Sequence, residues 1–250
     1  MRAPDNAGRR AFLIQLDRAD HPDDPRLAEL ARLLNATFPD PDSVLGLDRI
    51  QEFLQANQAD GPRRFCVLVA QQNAAVVGGT IFSYVARSNC GFSEYIVVDA
   101  AVRGSGIGRK LFDARKALLD AEAGRHGVAT CRGLFIEVDS PERTPVDLVE
   151  AERQTALDPR QRLRMFHRLG FRQVDLAYVQ PPLAPDKHAV DYLDLLFAAW
   201  DADPGWIPSE WIFDTLEPIW SAWSPATVAA HLARLRSAAP GPRVALLDVG

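Results

Sequence analysis

The sequence predicts an α/β (α+β) protein built on a mixed, mainly antiparallel sheet. Three apolar runs, Phe65 to Ala70, Val76 to Ala86 and Phe92 to Val98, follow one another across short polar turns. That is the pattern of consecutive antiparallel strands. The last run leads through a glycine-rich turn into an amphipathic helix, Ile107 to Ala123, and then into a further strand, Leu134 to Val138. Strands joined by a crossover helix run parallel, so the sheet is mixed.

The remaining elements follow in order. Phe12, Ile14 and Leu16 alternate, which predicts a first strand at Ala11 to Leu16. A helix is expected from Pro25 to Phe38: Asp24 can cap it, Pro25 suits its first turn, and Leu27, Leu30, Leu34 and Phe38 share one stripe. A second helix carries Leu47, Ile50, Phe53 and Leu54, and Gly61-Pro62 ends it. On the Ile107 helix, Leu111, Ala114, Leu118 and Ala121 form the expected inner face. Residues 140–159 read as a charged insertion with a short helix, and long insertions beside a site often shape it. Arg160 to Leu169 is a helix closed by Gly170, and Phe171 to Val179 and Val190 to Ala198 complete the sheet. Residues 201–250 read as a helical extension holding four of the five tryptophans, with helices from Ser209 to Trp220 and from Ser224 onward. Its aromatics pack on the domain, cover an acceptor pocket or form a homodimer contact.

Composition narrows the function classes. The chain has 250 residues, 47% of them apolar, which is ordinary for a globular protein. A net charge of −5 argues against a nucleic-acid surface, which needs clustered Lys and Arg. With no long uncharged apolar stretch and a polar start at residues 1–10, read as a flexible terminus, the expectation is a soluble cytoplasmic protein without membrane contact. Cys66, Cys90 and Cys131 are widely spaced beside apolar residues, a pattern of buried free thiols and not of a disulfide framework or a zinc site. No metal is expected.

The segment Val97 to Leu111 carries the most chemistry. An apolar strand enters a helix through Arg103-Gly104-Ser105-Gly106-Ile107-Gly108-Arg109. A helix start offers unpaired N–H groups and partial positive charge, and glycines let backbone approach a phosphate closely. A dinucleotide loop needs G-x-G-x-x-G after the first strand of its domain, and a Walker loop ends in Gly-Lys-Ser/Thr; neither fits here. What fits is Arg-x-x-Gly-x-Gly at Arg103, Gly106 and Gly108.

This motif resembles the acyl-CoA-binding loop of the GNAT acetyltransferase superfamily. Phe166-His167-Arg168-Leu169-Gly170-Phe171 adds a second resemblance, since the family often has an aromatic residue four positions before the glycine of Leu-Gly-Phe. The order of elements over residues 11–200 is similar as well. The resemblance implies a sheet splayed at an acyl-CoA cleft and acetyl-CoA, or another acyl-CoA, as co-substrate. It places the pyrophosphate on the Arg103–Arg109 loop (Arg103, Gly104, Ser105, Gly106, Ile107, Gly108, Arg109) and the pantetheine arm along Ile96, Val97 and Val98.

It also implies transfer to a small-molecule primary amine, which needs a group to take the ammonium proton. Glu94, on the strand feeding the loop, is the first candidate catalytic residue and Glu137, on the neighbouring strand, the second. Solvated or salt-bridged glutamates are the structural alternative for both. The family's usual acid is a tyrosine where this chain has Phe166, so leaving-group protonation falls to water, His167 or Tyr178. Glu137, Asp139 and Glu142 suggest an acidic acceptor mouth. The same missing hydroxyl supports the alternative of a non-catalytic acyl-CoA-binding or sensing module.

Overall fold

The computed structural model describes residues 14–57, 61–155, 158–201 and 204–248. The first half of the chain forms β1 (Gln15–Arg18), α1 (Pro25–Thr37), α2 (Leu47–Gln55), β2 (Arg64–Gln72), β3 (Ala75–Val85), β4 (Cys90–Val98) and α3 (Ile107–Arg125). The second half forms β5 (Gly133–Asp139), α4 (Val146–Thr155), α5 (Pro159–Arg168), β6 (Arg172–Val174) and β7 (Leu193–Ala199). It ends with β8 (Trp206–Pro208), α6 (Ser209–Trp223), α7 (Val228–Ala238) and β9 (Arg243–Leu247). Residues 1–10 and the first three positions of the expected Ala11 to Leu16 strand lie outside the described residues.

The strands are ordered β1-β2-β3-β4-β5-β7-β6-β9-β8. Among the described residues only β4 and β5 pair in parallel, as the α3 crossover requires. Both faces of the sheet are covered. Along β2, Phe65, Val67 and Val69 enter the core shared with α1, α2 and α6, while Cys66, Leu68 and Ala70 enter the core shared with α3 and α5. Strands buried on both faces read as continuous apolar runs, which is how this sequence announces them. The three cysteines are buried and free.

Local signals set the helix starts. The Asp24 side chain accepts the Arg26 N–H at 2.9 Å and Pro25 occupies the first turn of α1. Asp158 caps α5 in the same way, accepting the Arg160 N–H at 3.0 Å.

Four expectations need correction. The inward stripe of α3 is Ile107, Leu111, Phe112, Arg115, Leu119, Glu122 and Ala123, with Ala121 exposed. Of the expected face, Leu111, Ala114 and Leu118 do pack on the core and only Ala121 does not; periodicity overlooks Arg115 and Glu122 because both are polar. The strand expected over Phe171 to Val179 ends at Val174, after which the chain turns and Tyr178 is buried away from the ladder. The strand expected from Val190 starts at Leu193, with Val190 making one isolated bridge to Gln180. Finally, the tail is not purely helical. Its last strand, β9, pairs with both β6 and β8, so the chain end returns to the sheet. Five residues of weak alternation after Gly241-Pro242 carry little signal until a partner strand is present.

Gly133 shows how tightly β5 and β7 approach. A Cβ there would lie 2.3 Å from the Ala198 carbonyl oxygen and 2.5 Å from the Phe197 ring. A backbone oxygen cannot yield as a flexible side chain can. Gly133→Ala is therefore expected to lower unfolding free energy by about 1–3 kcal/mol, the usual cost of overpacking, as measured by urea denaturation.

Candidate functional site

The ladder between β4 and β5 is short. It joins Gly91 to Leu134, Phe92 to Phe135 and Ser93 to Ile136, and then stops although both strands continue. A bulge sits at the point of separation. Ile81 pairs with Tyr95 and Phe82 with Ser93, leaving Glu94 as the extra residue of β4. Such a residue bends its strand and increases local twist, which carries the end of β4 away from β5. The backbone edges beyond Ser93 and Ile136 then line a cavity of about 430 Å³.

One end of this cavity is the glycine loop. Asp99 caps a single 3₁₀ turn over Ala100–Val102, and Gly104 and Gly106 follow at φ +79° and +84°. Left-handed backbone there turns the chain into α3, whose first i→i−4 bond runs from Lys110 N–H to Gly106 C=O at 3.1 Å. The amides of Ile107, Gly108 and Arg109 precede that bond and form the helix N-terminus. A Cβ on Gly104 or Gly106 would meet no atom within 4 Å, so φ, and space outside the protein, are what glycine serves here. This is a cradle suited to an anion.

Side chains of the loop are already engaged. Arg103 Nε donates to Val98 C=O at 3.1 Å, and Ser105 Oγ donates to Val102 C=O at 2.6 Å. Arg109 pairs with Asp113 at 2.9 Å on the exposed helix surface. Val102, Arg103, Gly104, Gly106, Ile107, Gly108 and Arg109 line the cavity, whereas Ser105 does not. Upstream, Val97 is buried against the α1 side of the sheet, and Ile96 and Val98 pack on the α3 side. Their side chains build cores while their backbone borders the split.

Both carboxylates face the same cavity. The Glu94 side chain is 1% exposed; Ser83 Oγ donates to its Oε1 at 2.7 Å, and Arg63 forms an ion pair at 3.8 Å. Burial pushes its carboxyl up to about 7, against the pull of Arg63 and the Ser83 hydrogen bond. Glu137 is held by Tyr178, whose hydroxyl donates to Oε1, and by Gln180, whose Nε2 donates to Oε2 at 2.7 Å. Burial again dominates and raises it to about 7, with the Glu94 charge adding to the rise. The split thus brings together two glutamates poised near neutrality.

Buried cations support this arrangement. Arg63 lies over the rings of Phe53 and Phe65 at 4.4 and 5.2 Å, and burial lowers it to about 10. Arg115 donates to Ser93 Oγ at 2.5 Å and Thr80 Oγ1 at 3.2 Å, pinning the last paired residue of β4. Burial lowers its guanidinium to about 9. Tyr95 ties β4 to the loop after α1: its hydroxyl donates to Ser43 C=O and accepts the Leu45 N–H, both at 2.9 Å.

The expected acidic mouth is largely neutralised. Asp139 pairs with Arg162, which also holds Glu152 at 2.9 Å, and Glu142 pairs with Arg160 at 3.5 Å. Phe166 lines the cavity and packs edge-on against Phe171 at 5.4 Å, so no hydroxyl occupies its position. His167 Nδ1 lies 3.2 Å from Arg172 and is not on the cavity wall. Tyr178 directs its hydroxyl to Glu137.

Sequence reasoning missed Arg63, Ser83, Arg115, Gln180 and Trp223. Gln180 precedes Pro181-Pro182 and reads only as part of a turn. Trp223, from the last turn of α6, lines the cavity from a segment remote in sequence.

Residues 27–141 match the Acetyltransferase (GNAT) family. That segment of the chain is a GNAT acetyltransferase domain. The chain's fold is likewise similar to solved acetyltransferases. The IAA acetyltransferase from Bacillus cereus ATCC 14579 is 16% identical with a TM-score of 0.45, covering 75% of this chain and 100% of that one. The ribosomal-protein-S18-alanine N-acetyltransferase from Escherichia coli is 12% identical with a TM-score of 0.46, covering 76% and 96%. A putative GNAT acetyltransferase from Bacteroides thetaiotaomicron is 18% identical with a TM-score of 0.49, covering 76% and 88%. No curated protein matches the chain. Among the described residues no helix is long and apolar enough to cross a membrane.

Two neighbouring glycines in the loop should respond oppositely to alanine. Gly106→Ala forces a left-handed alanine and should cost roughly 1–2 kcal/mol, lowering Tm by a few degrees. Gly108 lies inside α3, where an added Cβ would only touch Val98 at 3.8 Å. Gly108→Ala should leave Tm unchanged or raise it, because alanine favours helix by up to about 1 kcal/mol. Equal losses in thermal unfolding would contradict this account of the loop.

Proposed function

We propose that this protein transfers an acetyl group from acetyl-CoA to a primary amine by direct attack. The observation that carries the proposal is the pair of buried carboxylates, Glu94 and Glu137, on the two strands that part just upstream of the glycine loop. In this reading the first-turn amides of α3 and the loop backbone hold the pyrophosphate. The exposed edge of β4 at Ile96 to Val98 offers N–H and C=O groups to the amides of the pantetheine arm.

The acceptor enters as an ammonium. Glu94 takes one proton, directly or through water, with Glu137 as its neighbour in the same titrating pair. The freed nitrogen lone pair attacks the thioester carbonyl carbon and an N–C bond forms; the adduct nitrogen then gives its second proton to water, and the C–S bond breaks as the tetrahedral adduct collapses to the neutral amide and the thiolate. A free thiol ionises near pH 8.5, roughly, so the departing thiolate takes its proton from water without help from a tyrosine at Phe166. The cysteines are not required, and burial raises all three thiols, to about 12 for Cys66 and about 11 for Cys131.

The base must be deprotonated to work, so activity is present above its folded pKa and lost as pH falls through it. With both carboxyls raised to about 7, kcat should rise through neutrality to a plateau. Glu94→Gln should reduce kcat by about 10²-fold or more and flatten that limb. Thiol release from acetyl-CoA across a panel of amines checks this. A protein that binds acetyl-CoA yet releases no thiol with any amine would instead be the sensing module that Phe166 favours.

A further inference from the structure

Two residues of the cavity wall each keep a buried oxygen atom with no hydrogen-bond partner among the described residues, Glu94 its Oε2 and Gln180 its Oε1. Each is fixed by the other end of its own group. Glu94 Oε1 accepts from Ser83, leaving Oε2 as the open position. Gln180 Nε2 donates to Glu137 Oε2, so the amide cannot be reversed without setting its oxygen against a carboxylate oxygen. Gln180 is 4% exposed, and the Glu94 side chain is 1% exposed. With Glu94 ionised, both positions accept hydrogen bonds and neither donates. Buried acceptors without donors cost stability, so the pair calls for a ligand group with at least two N–H bonds.

The rest of the acceptor half of the cavity is of another character. Phe38, Leu183, Leu193 and Trp223 supply most of its surface, with Thr37 and Ser43 at its side. The acids around it are already engaged: Asp139 by Arg162, Glu142 by Arg160, Asp40 by the Tyr192 hydroxyl and Asp42 by His188. Both oxygens of Glu137 accept from Tyr178 and Gln180. A second ammonium would have to compete with Arg162 for Asp139, the one further carboxylate on the wall, and the hydroxyls of a sugar would meet mainly apolar side chains, which is unfavourable. The cavity of about 430 Å³ must also hold the thioester end of the donor, so the acceptor is compact.

We propose that the acceptor is a monoamine with a compact apolar body, aryl or branched alkyl. Its nitrogen is held between Glu94 Oε2 and Gln180 Oε1, and its body packs on Phe38, Leu183 and Trp223. The assignment rests on the acetyl-transfer reading and names the substrate class of that site. It makes Gln180 a binding residue for the nitrogen. The proton passes from the ammonium to Glu94 Oε2, while a remaining N–H stays on Gln180 and the lone pair is free to attack. Trp223 comes from α6, so the C-terminal extension contributes the wall that selects the acceptor.

Steady-state thiol release with 2-phenylethylamine, ethylamine, spermidine and glucosamine tests the assignment. Calorimetric titration of 2-phenylethylamine and 2-phenylethanol into the protein with bound CoA supplies a readout independent of turnover. The expected kcat/KM for 2-phenylethylamine exceeds that for spermidine and glucosamine by tenfold or more, and 2-phenylethanol does not bind. Gln180→Leu should raise KM for 2-phenylethylamine about tenfold and leave KM for acetyl-CoA within twofold. Leu183→Ala, which leaves the polar pair intact, should erode the preference for 2-phenylethylamine over ethylamine. Spermidine or glucosamine serving equally well would overturn the assignment while leaving acetyl transfer standing. So would an unchanged amine KM in a folded Gln180→Leu protein. Absence of thiol release with every amine would instead remove the acetyl-transfer reading. Calorimetry would then decide the subsite alone, sustained by binding of the amine and not the alcohol, and overturned by binding of neither.

Discussion

The β4–β5 ladder ends after Ser93 and Ile136, and the site depends on that ending. A parallel pair that continued to Val98 and Asp139 would close the cleft and bury its backbone groups against one another. The bulge at Glu94 prevents this by bending β4 at the last paired residue. Arg115 fixes the branch point by donating to Ser93 from the inward face of α3, the helix that also presents the anion cradle at its N-terminus. The same crossover that makes β4 and β5 parallel thus supplies the cradle and anchors the split.

The split also sets the chemistry of its carboxylates. Glu94 and Glu137 are buried because sheet packing encloses the parted strands on both faces, and burial is what holds them near neutrality. A carboxylate in open solvent would be a weaker base. Each acquires enough polar partners to tolerate the site, Ser83 and Arg63 for one, Tyr178 and Gln180 for the other. Tyr178 is in turn packed against Trp220 at 6.0 Å, so α6 supports the Glu137 side of the cavity from behind. The C-terminal segment contributes to the fold at both levels, through α6 on the sheet face and β9 beside β6.

How much was legible in the sequence followed the range of the interaction that carried each feature. Strands β2 to β5 and helices α1, α2, α3 and α5 were legible because caps, glycines and apolar periods are local. The Arg103–Arg109 loop was legible for the same reason, and Glu94 and Glu137 were found as carboxylates beside it. The bulge at Glu94 was not, since it is a relation between two strands. Gln180 and Trp223 reach the cavity from positions more than 40 residues from either neighbouring strand residue or from a separate segment, and no period announces them. Arg115 and Glu122 were not foreseen on the buried face of α3 because a polar side chain there is identified only by its partners. Strands β6, β8 and β9 are short and depend on pairing with one another.

The central claim is that the parted strands hold two carboxyls whose ionisation lies near neutral pH. Carbon-13 NMR titration of the glutamate side-chain carboxyls tests it without a substrate. The account predicts resonances, lost or altered in Glu94→Gln and Glu137→Gln, that titrate together near pH 7, well above the ordinary range of about 4–4.5 for glutamate. If both carboxyls titrate in that ordinary range, they are not held by the split as described and the account is contradicted.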